Sequence, residues 1–192
     1  MPRRICETCN YLIQSCVCDL IPSVQTALNV IIFQDPNEAN HSKNSVKLLK
    51  LALPPIRVVS VKTIDDILDV LKPLDLTKWC LIYPSEYSKA IEEMTPIEQK
   101  HIEGVILIDA TWRKAFAMYH SCQEFLRVPT KRFLTPPKGR YLIRKTYKEN
   151  ALSTFEACVY TLECVEKVDL SIMKTFFIQA QRWQWRKMPH IQ

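Results

Sequence analysis

A chain of 192 residues, 47% of them hydrophobic, can bury one sizeable core. Its only glycines are Gly104 and Gly139, so neither a P-loop nor a G-x-G-x-x-G dinucleotide turn can be built, which excludes most kinases, ATPases and Rossmann dehydrogenases. The formal charge of +6 is unevenly placed: ten basic residues lie between Arg113 and Lys148 against the single acidic Glu124, a segment suited to facing a polyanion, whereas acidic residues predominate from Asp65 to Glu103.

No apolar run is long enough to span a membrane, and Met1-Pro2-Arg3-Arg4-Ile5-Cys6 lacks the apolar core of a signal peptide. The expectation is a cytoplasmic protein without membrane contact, and no obligate protein partner is evident. Eight cysteines in such a compartment are reduced or metal-bound rather than paired as disulfides.

In chain order, Cys6-x2-Cys9-x6-Cys16-x-Cys18 comes first. Four thiolates so close can complete a tetrahedral zinc site, and a loop too short to own a core would gain its folding energy from the metal. An unstructured arm or two local disulfides are the alternatives. Cys80, Cys122, Cys158 and Cys164 stand alone in apolar patterns and read as small core residues. The one plausible boundary, near Asp19 to Ser23, divides a knuckle at 1–20 from a domain at 21–192.

Leu28 to Phe33 reads as a buried strand ended by the turn residues Gln34-Asp35-Pro36-Asn37. A helix then starts near Ser42 to Asn44 and runs to Ala52, where Pro54-Pro55 stops it. The intervening loop holds Glu38, His41, Lys43 and Asn44; Lys43 suits a phosphate contact, or is simply solvated. Arg57 to Val61 is a second strand, followed by a helix opened by Thr63, Asp65 and Asp66. Trp79 to Tyr83 is a third strand, after which Ser85 is expected to open a helix reaching Met94.

Gly104 to Asp109 is the fourth strand, built on the run Val105-Ile106-Leu107-Ile108. Trp112, Ala115, Phe116 and Tyr119 then recur at helical spacing, with Arg113, Lys114 and His120 on another face. Strands alternating with helices predict an α/β fold, a mostly parallel sheet flanked by helices. Asp109 thus stands where open α/β sheets bind ligands, beyond the carboxyl ends of their strands; the competing reading is an N-cap.

From Phe125 to Arg144 the pattern changes to short extended pieces, Phe125 to Val128, Arg132 to Leu134 and Tyr141 to Arg144. A basic loop carrying Phe and Tyr suits RNA, because cations follow phosphate while rings stack on exposed bases; alternatively the rings turn into the core. Leu152-Ser153-Thr154-Phe155-Glu156 contains an S-x-x-E capping box opening a long helix, whose positive end would also favour a carboxylate. A last helix, roughly Leu170 to Trp185, runs into Arg182-Trp183-Gln184-Trp185-Arg186-Lys187, where Trp and Arg interleave for RNA contact or for packing onto the domain.

Four of these segments, in matching order, resemble the DTW-domain family: the cysteine cluster Cys6 to Cys18, Gln34 to Glu38 continuing to Asn44, the D-x-T-W signature Asp109-Ala110-Thr111-Trp112, and Leu152 to Ala157. In the second segment the family commonly reads Q-H-P, and here Asp35 stands in place of the histidine. The resemblance implies an S-adenosylmethionine-dependent tRNA-uridine aminocarboxypropyltransferase, preceded by a small zinc knuckle. It also implies a fold related to the SPOUT methyltransferases, with their C-terminal trefoil knot.

The implied reaction moves the 3-amino-3-carboxypropyl group to N3 of a tRNA uridine, in the variable loop, and releases methylthioadenosine. Asp109 is the expected base, with Leu107, Thr111, Trp112, Leu152, Ser153, Thr154 and Glu156 around the donor. Gln34, Lys43, Asn44, Arg113, Lys131, Arg132, Arg140, Arg144 and Lys145 are the expected tRNA contacts. Cys6, Cys9, Cys16 and Cys18 would hold a structural zinc with no open position. Rival readings are an rRNA-directed aminocarboxypropyl- or methyltransferase on the same scaffold, and a non-enzymatic zinc-containing RNA-binding module.

Overall fold

The computed structural model describes residues 4–41, 43–143 and 151–187. Six strands form one sheet in which every pairing is parallel. They are β1 (Asn29–Gln34), β2 (Arg57–Ser60), β3 (Trp79–Ile82), β4 (Lys89–Ala90), β5 (Gly104–Asp109) and β6 (Thr130–Arg132), in the order β2-β1-β5-β3-β6-β4. The helices are α1 (Pro36–Ala39), α2 (Ser45–Ala52), α3 (Asp65–Leu71), α4 (Pro96–His101), α5 (Trp112–Ser121), α6 (Thr154–Glu166) and α7 (Ser171–Gln184). None of them is long and apolar enough to cross a membrane.

The near-continuous apolar runs of β1 and β5 follow from burial on both faces. Alternation sends Val30, Ile32, Val105 and Leu107 to one side, against Leu48 and Leu49 of α2, Phe155 and Leu162 of α6, and Phe176 and Phe177 of α7. Ile31, Phe33 and Ile106 face the other side, against Ile67 and Leu71 of α3, Tyr119 of α5, and Phe125. The Phe125 ring meets Phe33 edge-on at 5.6 Å. At the start of β5, Gly104 is required by a close approach, since a Cβ there would lie 2.4 Å from the Trp79 ring. Cys80 and Cys158 are core residues as expected, and burial pushes both thiols up to about 12.

Three expectations fail, the smallest at Tyr141 to Arg144, where Leu142 and Ile143 lie in a turn and not in an extended piece, Arg144 being outside the described residues. The segment from Ser85 to Met94 is not a helix: a turn closed by the Ser88 N–H donating to Ser85 O leads into β4, and the helix begins only at Pro96. Ala90, Ile91 and Met94 are buried at spacings that mimic a helix, whereas the effective start signal is the capping box Thr95/Glu98 with Pro96 in the first turn. Phe125 to Val128 is likewise not extended, because Gln123–Arg127 forms a 3-10 turn that drives Phe125 into the core. The extended piece expected at Arg132 to Leu134 lies earlier, as β6 at Thr130–Arg132, and it inserts between β3 and β4.

The cysteine-rich segment is packed onto the domain. Cys9 and Val17 are buried in the same cluster as α2, α6 and α7. Lys47 of α2 donates to Asn10 O at 2.6 Å and lies 3.8 Å over the Tyr11 ring. Just beyond α7, Arg186 donates to Gln14 O at 2.9 Å, so this arginine of the Trp- and Arg-rich end packs onto the knuckle.

Candidate active site

β1 and β5 are adjacent inner strands of the sheet, and their last register pair is Gln34 with Asp109. The Asp35 N–H donates to Asp109 O at 2.9 Å, which carries the pairing one residue past the strand. The buried Gln34 side chain donates from Nε2 to Asp109 Oδ2 at 2.8 Å and reaches Asn44 Oδ1 at 3.4 Å. Asn44 in turn caps α2, accepting from the Val46 and Lys47 amides.

The second oxygen of Asp109, Oδ1, accepts from the Thr154 hydroxyl at the first position of α6. Asp109 is therefore no helix cap. The N-cap of α5 is Thr111, which makes no side-chain capping bond, and the Asp109 carboxylate is held from the ends of β1 and α6 instead. Each of its oxygens retains a lone pair for a further donor, and the residue is half-buried.

Ser153 and Glu156 form the capping box expected of them. Ser153 Oγ accepts from the Glu156 N–H, and Glu156 Oε2 accepts from the Ser153 N–H at 2.9 Å and its hydroxyl at 2.7 Å. Glu156 Oε1 accepts from the Arg140 N–H, which seats the loop around Gly139 on the start of α6. A Cβ at Gly139 would meet Ala151 O at 2.9 Å, so glycine permits that approach. The polar atoms of Ser153 and Glu156 are thus used within the protein: these residues shape the edge of the site.

Asp35 caps α1 through the Asn37 N–H and pairs with Lys114 of α5 at 2.7 Å. Burial opposes its charge, but the Lys114 ammonium and the Asn37 amide outweigh that and hold the carboxyl below its ordinary range. This pair, which the sequence does not announce, ties the helix after Asp109 to the turn after Gln34. Glu92 is a second such clamp: it accepts from the Leu134 and Thr135 N–H groups and from the Tyr160 hydroxyl, fixing the chain beyond β6 against α6.

The other sequence-predicted residues divide sharply. Leu107 is a core side chain, while Thr111, Trp112 and Arg113 are exposed beside Asp109. Lys43 donates to Ile143 O at 2.7 Å and sits 5.7 Å over the Trp185 ring. Lys131 is buried, 5% exposed, and ion-paired with Glu98 at 3.2 Å, so it is not a cation available to phosphate. Donors from Thr95 and then Lys131 pull Glu98 down to about 2. Arg132 and Arg140 are exposed, and Arg144 and Lys145 lie outside the described residues.

The sulfur atoms of Cys6, Cys9, Cys16 and Cys18 all lie within 4.8 Å of one another, with approaches of 3.6 and 3.7 Å. A tetrahedron with Zn–S bonds of about 2.3 Å has S···S edges of about 3.8 Å, whereas a disulfide needs about 2.05 Å. The cluster could therefore hold zinc as it stands. Backbone N–H groups of Cys9 and Thr8 pull Cys6 down to about 6, while the neighbouring Cys16 thiol pushes Cys18 up to about 12. Gathered thiols that cannot all ionise are what a divalent cation relieves.

An all-parallel sheet in which inner strand β5 ends in a carboxylate tethered from β1 and from the start of α6 defines an α/β protein with a polar strand-end site. The chain belongs to the DTW domain family, whose model matches residues 3–183. It is 29% identical over 174 residues to the tRNA-uridine aminocarboxypropyltransferase 2 of Drosophila melanogaster, covering 85% of this chain and 67% of that protein. It is 27% identical over 173 residues to the mouse protein of that name, covering 86% of this chain and 57% of the relative. No solved structure matches the chain.

Proposed function

We propose that this protein transfers the 3-amino-3-carboxypropyl group of S-adenosylmethionine to N3 of a uridine in the variable loop of tRNA, acting in the cytoplasm. The observation that carries the reading is the Asp109 carboxylate at the end of β5, held by Gln34 and Thr154, in a chain similar to named tRNA-uridine aminocarboxypropyltransferases.

The donor's sulfonium makes each attached carbon electrophilic, so the product depends on which carbon the pocket presents to the uridine. The residues around Asp109 suit such a donor. We assign Thr111, Trp112, Leu152 and Thr154 to the donor, and the positive end of α6 favours the donor's own carboxylate. Asp109 accepts the N3 proton as the N3–C bond forms and the C–S bond breaks, and methylthioadenosine departs. Gln34 and Thr154 fix the carboxylate so that a free lone pair points at the nucleophile. Gln34 and Asn44, read from the sequence as tRNA contacts, act in this account as positioning residues. The RNA is held through Arg113, Arg132 and Arg140, with Lys43, Arg144 and Lys145 as further contacts. The four cysteines hold one structural zinc.

The test is incubation with tRNA and S-adenosylmethionine, followed by nucleoside mass spectrometry. Aminocarboxypropyluridine together with methylthioadenosine supports the reading. Methyluridine with S-adenosylhomocysteine would make the protein a methyltransferase, modified rRNA alone would move its substrate, and RNA binding without any transfer would make it a binding module.

A further inference from the structure

Helix α5 buries Ala115 and Tyr119, the latter stacked on Tyr83 with ring centroids 4.3 Å apart. Its other side carries rings where a surface helix ordinarily carries charge. Trp112 is 62% exposed, Phe116 is 58% exposed, and His120 is exposed. These residues are spaced four apart and form one row on the helix surface. The Phe116 and His120 rings are already in contact, 4.1 Å between centroids and tilted by 41°. At about 1.5 Å per residue, Phe116 and His120 lie about 6 Å apart along the helix, which matches about two stacked nucleotides at about 3.4 Å each.

The charge around the row names its occupant. From Trp112 to Gln123 the chain has no carboxylate, Arg113 and Arg127 are exposed, and Lys114 is paired with Asp35. A second copy docked on this face would set the two Arg113 side chains and the two Arg127 side chains against like charge. Single-stranded RNA brings both the flat faces that stack on rings and the phosphates that neutralise the arginines. The Phe116–His120 pair lies on the helix that follows Asp109, with Phe116 seven residues beyond the reacting carboxylate.

We propose that the Phe116–His120 row of α5 stacks the unpaired bases flanking the target uridine, and so sets how the RNA enters the site. This rests on the proposed transfer to tRNA, but the row is tested by binding alone. Phe116→Ser and His120→Ala alter exposed side chains, and Phe116→Trp keeps a stacking face. Zinc-loaded full-length proteins are titrated with tRNA, and transfer is measured in parallel.

The expected result is a Kd and a KM for tRNA raised about tenfold by each truncation, with kcat, S-adenosylmethionine affinity and melting temperature unchanged, and tRNA binding kept by Phe116→Trp. Wild-type tRNA affinity in both truncations would overturn the proposal, as would a dimer that Phe116→Ser dissociates while tRNA binding stays the same. A wild-type protein that binds tRNA through the row yet transfers nothing would overturn the proposed reaction and leave the row standing.

Discussion

Gln34 and Asp109 end adjacent parallel strands in register, and the Gln34 amide lies 2.8 Å from the Asp109 carboxylate. The orientation of the Asp109 carboxylate is therefore set by strand pairing, 75 residues apart in sequence, and not by a flexible loop. Thr154, from the start of α6, holds the other oxygen.

Removing either donor should loosen the carboxylate without removing it. Gln34→Leu and Thr154→Val are each expected to lower single-turnover transfer by about 10- to 100-fold, since small misplacements of reacting groups have that effect. Thr154→Ser restores the hydroxyl and should recover most of the rate. Unchanged affinity for S-adenosylmethionine, measured by calorimetry, separates misplacement from loss of the binding site.

Lys114→Met leaves the Asp35 carboxylate, nearly buried, without its cation. Because Lys114 is about one-third exposed, the cost is expected to be about 1–2 kcal/mol, seen as a lower melting temperature at pH 7. Asp35 is a carboxyl whose folded-state value is depressed, so its stabilisation is present above the unfolded value of about 3.9 and is lost as pH falls through the folded one. The difference between wild type and variant should accordingly shrink in acid melts below about pH 4.

The cysteine geometry predicts one zinc per chain. Chelation, or Cys9→Ser with Cys16→Ser, should release the metal and loosen the contacts of Lys47 with Asn10 and of Arg186 with Gln14. Acid should weaken zinc binding, because protons compete for the thiolates. Elemental analysis and tryptophan fluorescence near Trp183 and Trp185 report the two effects, and a metal-free preparation with native melting behaviour would count against the assignment.

Among the basic residues, exposure decides. Arg132→Ala and Arg140→Ala should each lower the slope of log K for tRNA against log salt by about 0.7 to 0.9. Lys131→Met should leave that slope unchanged and instead lower stability, since its ammonium is buried against Glu98.

Strands β1 and β5 and the α6 cap were legible because local rules decide them: the apolar runs of β1 and β5 need burial on both faces, and Ser153 with Glu156 needs only three residues of separation. Asp109 was legible as a strand-end carboxylate for the same reason. The burial of Gln34 was not legible because it depends on register with a distant strand, and the pairing of Lys131 was not because only the insertion of β6 between β3 and β4 brings it to Glu98. A two-residue strand such as β4 leaves almost no periodicity to read, and the helix-like spacing of Ala90, Ile91 and Met94 prevailed.

The account turns on Asp109→Asn. The amide keeps the shape: its oxygen can accept from Gln34, while its nitrogen can donate to the Thr154 hydroxyl, which accepts as readily as it donates. The fold and S-adenosylmethionine binding should therefore survive, but the N3 proton has no acceptor, and single-turnover transfer to tRNA is expected to fall by about 10² to 10⁴. A variant that melts as wild type, binds S-adenosylmethionine and still transfers at the wild-type rate would contradict the assignment of Asp109 as the base.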